Sequence, residues 1–364
     1  MAFQVGDVCE VDARQKCKIW CEGQIVDIIY PQDQDQESPS YLVRLSGCEE
    51  VDEFPMDGIR KIPTIEEYER QKEILGIKGA DQFFHFTWTL LHLACRFSDF
   101  DFVKQVCEEN LNVNINCQRE TGETPFFIAC WKNHINIVEY LLNYPNIDVN
   151  LSQINGITPF YSACHSDEAL IQLLLNDPRV DLNIPDMNDS SPFLVSCFDG
   201  QVNLIKKLLF NPRVNIHSRN KFQQTGFLVA CGQNHFSLVK ELLKHPKIDI
   251  NAHNIHQETP LLICCWEESL ETVQLLMSDP RIDVTCLSKN NLSPLFCSVL
   301  RQNLQIMKWV LSSRTIIDVN LEYDHKKAIE YLQDPSMITL LSEYTENPKV
   351  VRDRLRRELK IGNF

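Results

Sequence analysis

Cysteine is the residue type in this chain with the most chemistry to offer, and its spacing is regular. Cys95, Cys130, Cys164, Cys197, Cys231 and Cys265 recur at intervals of 35, 34, 33, 34 and 34 residues. A thiolate that binds a metal or attacks an electrophile needs nearby positive charge and access to solvent. Neither is visible in the apolar stretches around these positions, such as TPFFIACW (124–131) and TPLLICCW (259–266). A second group, Cys9, Cys17, Cys21 and Cys48, invites a zinc reading. The Cys-x3-Cys pair lacks flanking knuckle spacing, and on a straight strand Cys17 and Cys21 would sit about 13 Å apart. No metal site and no cofactor are expected. The chain has no Gly-rich phosphate loop, no HExxH and no GxSxG. Asp148, Asp181, Asp249 and Asp283 recur at one register, which marks a structural turn and not an acid–base pair. The expectation is a protein that is not an enzyme.

The elements that hold these residues follow from self-similarity. TLLHLAC (from Thr89), TPFFIAC (Thr124), TPFYSAC (Thr158), SPFLVSC (Ser191), TGFLVAC (Thr225), TPLLICC (Thr259) and SPLFCSV (Ser293) align as seven copies. Each leads into a second apolar segment, such as INIVEYLLN or VNLIKKLLF, and then an ending such as YPNIDVN, DPRVDLN or HPKIDIN. Thr or Ser is a helix cap, and Pro suits the first turn because its missing N–H has no partner there anyway. The second segment places Ile137, Val138, Leu141 and Leu142 at helical spacing and stops before a Pro. Each copy therefore reads as helix, turn, helix, extended hairpin. No copy can bury its apolar face alone, so the copies must stack into a solenoid.

This pattern resembles the ankyrin repeat, with its Thr-Pro-Leu-His-x-Ala signature of about 33 residues. The resemblance covers residues 85–345, with a degenerate eighth copy near HKKAIEYL (325–332) as a C-terminal cap. It implies a mainly α solenoid. The signature His is present only as His92, with Phe127, Tyr161, Leu194, Leu228, Leu262 and Phe296 in its place. Apolar packing is expected to replace its hydrogen bond between repeats. The hairpin glycine persists as Gly122 and Gly156 and becomes Asp189, Gln223, Gln257 and Asn291, where the two glutamines are expected to strain or reshape their turns. Repeats stacked about 10 Å apart keep the aligned thiols too far apart for disulfides, which need Cα atoms within about 7 Å. The cysteines read as small buried packing residues.

The position after that Cys reads Arg96, Trp131, His165, Phe198, Gly232, Trp266 and Leu300. In the ankyrin family this position resembles the one that faces the concave side beside the hairpin tips. The matching tips include Ile154, Met187, Phe222 and Ile255. Large side chains repeated along one groove suggest a recognition surface, and Trp is enriched among interface hot spots. Trp131, His165, Phe198 and Trp266, with Ile154, Met187, Phe222 and Ile255, are therefore the expected partner-binding residues, for a protein or peptide.

Outside the repeats, residues 1–62 read as four or five short strands around the polar loop PQDQDQESPS. They resemble a Tudor-like or chromo-barrel module, a small SH3-like β-barrel. That resemblance implies an aromatic cage of Trp20, Tyr41 and Phe54 for methylated lysine or arginine, although Arg44-Leu45 stands where the family carries His-Tyr. Residues 63–84 read as a linker with a charged amphipathic helix over 64–77, covering the open end of the array, and 346–364 as a basic C-terminal helix. A net charge of −15 argues against broad nucleic-acid or anionic-membrane binding. With no leader pattern and no run of eighteen apolar residues, fifteen cysteines point to a reducing compartment, cytoplasmic or alternatively nuclear. The expected function is an adaptor or scaffold that binds a protein or peptide through the concave face. The alternative is a chromatin-associated reader of a methylated tail.

Overall fold

The structure, a computed structural model, describes residues 8–12, 20–29, 40–45, 51–55, 59–61, 65–75, 83–84, 88–109 and 113–361, with side chains at 68–73, 89–109 and 113–361. Strands β1 (Val8–Asp12), β2 (Trp20–Ile29), β3 (Ser40–Leu45), β4 (Val51–Pro55) and β5 (Ile59–Lys61) form one antiparallel sheet in the order β4-β3-β2-β1-β5. A register shift between Ile25 and Asp27 marks a bulge in β2. Among the described residues β4 pairs with β3 and β5 with β1, so the expected SH3-like barrel is met by a five-stranded sheet without a pairing that closes it.

Helix α1 (Ile65–Leu75) is followed by the short strands β6 (Phe83–Phe84) and β7 (Trp88–Thr89) and then by seven helix pairs. In chain order they are α2 (Leu90–Phe97) with α3 (Phe100–Glu109), α4 (Pro125–Trp131) with α5 (Ile135–Leu142), and α6 (Pro159–Ala163) with α7 (Glu168–Asn176). These are followed by α8 (Pro192–Phe198) with α9 (Val202–Leu209), α10 (Gly226–Gly232) with α11 (Phe236–Leu243), α12 (Pro260–Trp266) with α13 (Leu270–Ser278), and α14 (Pro294–Leu300) with α15 (Leu304–Leu311). A small hairpin, β8 (Glu322–Tyr323) and β9 (Lys326–Lys327), precedes α16 (Ala328–Tyr331), α17 (Pro335–Glu346) and α18 (Pro348–Glu358). Two compact units result, residues 1–181 and 182–364, and each is described by itself.

The inner helices begin where the sequence pattern places them. The hydroxyls of Thr89, Thr124, Thr158, Ser191, Thr225, Thr259 and Ser293 each accept the backbone N–H three residues on. Such a cap stabilises a helix by about 1 kcal/mol. Six of the seven inner helices, all but α6, also end in a fixed way: Ser98, Asn133, Gly200, Asn234, Glu268 and Gln302 adopt left-handed φ between 53° and 70°, reversing the chain into the outer helix. The hairpin tips repeat the device at Gly122 (φ 90°), Gly156 (81°), Asp189 (59°), Gln223 (58°), Gln257 (61°) and Asn291 (59°). Both glutamines thus keep the turn and do not reshape it, at a strain of about 1 kcal/mol each. Glycine is needed at 122 for a second reason, since a Cβ there would lie 2.8 Å from Gln153 Cα in the next hairpin.

Within unit 1, the side chain of Asn116 donates to Asn146 O (2.8 Å) and accepts from Asp148 N–H (2.9 Å), and Asn150 does the same with Arg179 O (2.8 Å) and Asp181 N–H (2.8 Å). Within unit 2, Asn183 bridges to Arg213 O (2.7 Å) and Asn215 N–H (2.6 Å), and Asn251 to Arg281 O (2.8 Å) and Asp283 N–H (2.9 Å). These asparagines close the IDVN-type endings and help tie one hairpin to the next, where the signature histidine survives only as His92. His217 occupies the same register and makes neither bond; only its backbone N–H is engaged, by Asn215 Oδ1 at 3.0 Å. A parallel clamp comes from the Asp-Pro-Arg turns. Arg179 pairs with Asp177 and donates to Leu142 O, and Arg281 pairs with Asp279 and donates to Leu243 O at 3.0 Å.

Both ends are covered. Tyr68 of α1 is buried against Phe97 and Phe102 and donates to Asp99 Oδ2 at 2.6 Å, where Lys72 also binds. At the other end Val351 and Leu355 of α18 are buried, Lys308 pairs with Glu358, and Arg354 pairs with Glu343. The basic C-terminal segment is therefore folded onto the last helix pair as part of the cap.

His92 is fully buried, with Thr89 N–H donating to Nδ1 (3.3 Å) and Nε2 3.1 Å from Glu123 O, a pattern that requires the neutral Nε2–H tautomer. Burial and the Arg119 guanidinium push its pKa down to about 3. A folded value below the unfolded value of about 6.5 means that the unfolded chain gains the proton first, so stability falls as pH drops from about 6.5 toward 3. Urea titrations over that window should show a slope approaching ~1.4 kcal/mol per pH unit from this group, and His92→Gln should flatten the slope. Thermal melts should also show Asn251→Ala destabilised by about 1–2 kcal/mol and His217→Asn stabilised by roughly 1 kcal/mol, since it supplies the missing rung.

Candidate partner-binding face

The residue after the aligned cysteine position lies in the last turn of each inner helix or just beyond it, and it is exposed in four of the seven repeats and half-buried in the others. Trp131 is 42% exposed, Phe198 53% and Trp266 39%, and His165 is exposed as well. Among the tips, Ile154, Met187 and Phe222 are exposed, whereas Ile255 is half-buried, so its contact area is smaller than its register suggests. The sequence logic for this separation is local. In PFFIACW the side chains of Phe126, Phe127, Ile128, Ala129 and Cys130 are all buried, whereas Trp131, the last residue of the helix, lies at the surface.

Three of the inner-helix ends, at Arg96, Phe198 and Trp266, are braced from the following repeat. His134 Nε2 lies 3.0 Å from Arg96 O and His235 Nε2 2.7 Å from Phe198 O, while Arg301 Nε donates to Trp266 O at 2.6 Å. Each such contact satisfies the carbonyl at the end of one inner helix with a side chain from the following repeat, removing an orphan acceptor. The tips are joined in the same way: within unit 1 Ile154 N–H donates to Thr121 O, and within unit 2 Lys221 N–H donates to Asn188 O, Ile255 N–H to Phe222 O and Lys289 N–H to His256 O, at 2.9–3.0 Å. Recurring polar residues are the one trace of these clamps in the amino-acid pattern.

Two cations cover the exposed indoles. Lys132 Nζ is 3.9 Å from the Trp131 ring centroid, and the Arg301 guanidinium carbon is 4.7 Å from that of Trp266. Each contact stabilises its ring by about 0.5–1 kcal/mol at an exposed site and orients it without burying it. Arg301 also lies 3.9 Å from a Glu268 carboxylate oxygen. Neighbours of a tryptophan in sequence or one repeat on were the available signal for both.

The aligned cysteines Cys95, Cys130, Cys164, Cys197, Cys231 and Cys265 are buried and form no disulfide, and burial pushes the thiols of Cys95, Cys130, Cys197, Cys231 and Cys265 well up. Such groups remain thiols and pack as small hydrophobes. Among the described residues no three His, Cys, Asp or Glu side chains gather as a metal site, and no helix is long and apolar enough to cross a membrane. Cys17 and Cys48 lie outside the described residues, as do the side chains of Cys9 and Cys21 and of the expected cage residues Trp20, Tyr41 and Phe54. The strand register sets Tyr41 opposite Phe54 and pairs Trp20 with Asp12.

Repeat register, capped inner helices and hairpin ladders together define an ankyrin-type array. The family model described as ankyrin repeats (3 copies) matches residues 68–153 and 193–288, half of the chain, and the chain belongs to that family. Among solved structures, the ankyrin repeat domain of Bcl-3, described as a unique member of the IkappaB protein family, matches at a TM-score of 0.55 and 18% identity, over 60% of this chain and 96% of that one. The ankyrin repeat protein EF0377 matches at a TM-score of 0.48 and 22% identity, over 51% of this chain and 95% of that one. At such identities the likeness concerns the fold alone. No curated protein matches the chain by sequence.

Native alkylation with iodoacetamide, read by mass spectrometry, should label the half-buried Cys286 before any of the aligned thiols. Cys130, Cys197 and Cys265 should react only once denaturant unfolds the repeats. Labelling of the aligned thiols at the Cys286 rate would contradict their packing role.

Proposed function

We propose that this chain is a non-catalytic adaptor that holds a protein or peptide against the face made by its inner-helix ends and hairpin tips, the concave face in the ankyrin family. Ankyrin-repeat proteins are in general protein-interaction modules, and the observation that carries the reading here is the set of large, exposed side chains on clamped backbone. Trp131 and Trp266 are the principal anchors, with Phe198, His165, Ile154, Met187 and Phe222 beside them in their own units and Ile255 contributing an edge. An exposed aromatic ring whose backbone is already ordered loses little conformational entropy when a partner covers it, which favours affinity. The buried thiols, none in a disulfide among the described residues, suit a reducing compartment, cytoplasm or nucleus.

A reader of methylated tails would need Trp20, Tyr41 and Phe54 around one cation. The register supports the Tyr41 and Phe54 pair but sets Trp20 at the opposite end of β2 from Ile28, the partner of Tyr41. The array is therefore the better-supported binding element, and the barrel-like reading of the sheet adds a scaffold to it.

Affinity capture from a cell lysate with the intact chain, compared with a Trp131→Ala/Trp266→Ala variant of unchanged melting temperature, tests the proposal. A partner held by these anchors should weaken about 30-fold or more, the loss of a ring at a hot spot being worth about 2 kcal/mol or more. Retention of every partner by the variant would remove the array face from consideration.

A further inference from the structure

Glycine at 232 has no structural explanation. It closes the short helix α10, where glycine is a weaker helix former than alanine, and its φ is not left-handed. A Cβ built there would meet only Ile263 Cγ2, at an ordinary 3.7 Å. The other glycine of the same helix is different: a Cβ on Gly226 would lie 2.8 Å from both Cys197 Sγ and Phe193 Cε1, so packing demands it. Every other repeat carries a bulky residue at the register of Gly232, namely Arg96, Trp131, His165, Phe198, Trp266 and Leu300.

The consequence is a notch in unit 2. A groove of about 600 Å³ runs over Gly232 with Phe198 and Trp266 among its walls, and Val229 and Ile263 on either side. Its ionisable lining consists of Glu258 and Glu267 with the Tyr323 phenol, and no Lys, Arg or His lines it. Asn254 Nδ2 donates to Glu258 Oε2 at 2.7 Å, which fixes that carboxylate at the groove. The nearby Arg301 is engaged with the Trp266 carbonyl and ring. The chain's own basic segment is not available to fill the site, because α18 is folded on the last helix pair.

We infer that this groove is the specificity pocket of the binding face, taking a partner-protein segment that seats one bulky apolar side chain over Gly232 and sets an adjacent Lys or Arg against Glu258 and Glu267. Shape supplies the first half, since the missing side chain leaves space for one residue between two aromatic walls. Charge supplies the second, because a cation in a partly desolvated acidic groove gains attraction that a neutral or acidic segment lacks. The inference rests on the adaptor reading and names the class of its partner.

Selection of a random peptide library on the intact chain tests it, followed by fluorescence polarisation with the synthetic form of the most enriched peptide. Enriched sequences should join a large aliphatic or aromatic residue to a Lys or Arg. Gly232→Trp should weaken binding at least tenfold, and Glu267→Gln should weaken it severalfold with a flatter dependence on salt. Glu267 is exposed, so its variant carries the test if Gly232→Trp proves unable to fold. Absence of enrichment, enrichment of sequences without a cation, or full binding by a folded Gly232→Trp variant overturns the inference. Binding lost in Trp131→Ala but retained in Gly232→Trp would overturn this groove while leaving the adaptor reading intact, whereas indifference to both would overturn both.

Discussion

An isolated pair of these helices leaves its apolar side bare to water, and covering that side with the next pair is the constraint on which the structure depends. Phe126, Phe160, Phe193 and Phe227 are essentially fully buried at one register, where the other repeats bury Leu91, Leu261 and Leu295, and so are the aligned thiols beside them. Burying a side chain of that size contributes on the order of 2 kcal/mol, which is large against the net stability of a domain. Stability in such an array is a sum of repeat and junction terms. The capped hydroxyls, the left-handed turns and the asparagine rungs are what make those junctions reproducible.

The division of labour within an inner helix explains why binding and packing can share seven residues. Nearly every earlier position of the helix is buried, and the last residue falls beyond them, so a tryptophan there is exposed without disturbing the stack. The backbone at this position is braced from the next repeat at Arg96, Phe198 and Trp266, through His134, His235 and Arg301 respectively. Rigidity of the anchors is thus a by-product of the contacts that satisfy helix ends.

Much of this was legible in the sequence because its causes are local. A Thr or Ser cap, followed by Pro in five of the seven copies, fixes a helix start regardless of what lies across from it, and all seven starts fall where the aligned caps place them. The same holds for α1, read over 64–77 and found at Ile65–Leu75. What the sequence concealed depends on geometry between repeats. The rungs of Asn116, Asn150, Asn183 and Asn251 looked like ordinary polar turn residues, because nothing in a single repeat reveals which carbonyl an amide will reach. Ile255 shared a register with Ile154 yet is half-buried, since exposure at a tip depends on its neighbours in the adjoining turns. The glutamines at 223 and 257 keep left-handed turns because the surrounding hairpin ladder over-determines them.

The clamped carbonyls carry an implication for how such a chain diversifies. Because the end of one inner helix is completed by a side chain of its successor, an anchor and its support are encoded about 35 residues apart, as Trp266 and Arg301 are. Duplicating or excising one repeat therefore separates an aromatic ring from the residue that steadies it. The heritable module is the junction between two repeats, and new specificities would arise most readily by exchanging junctions whole.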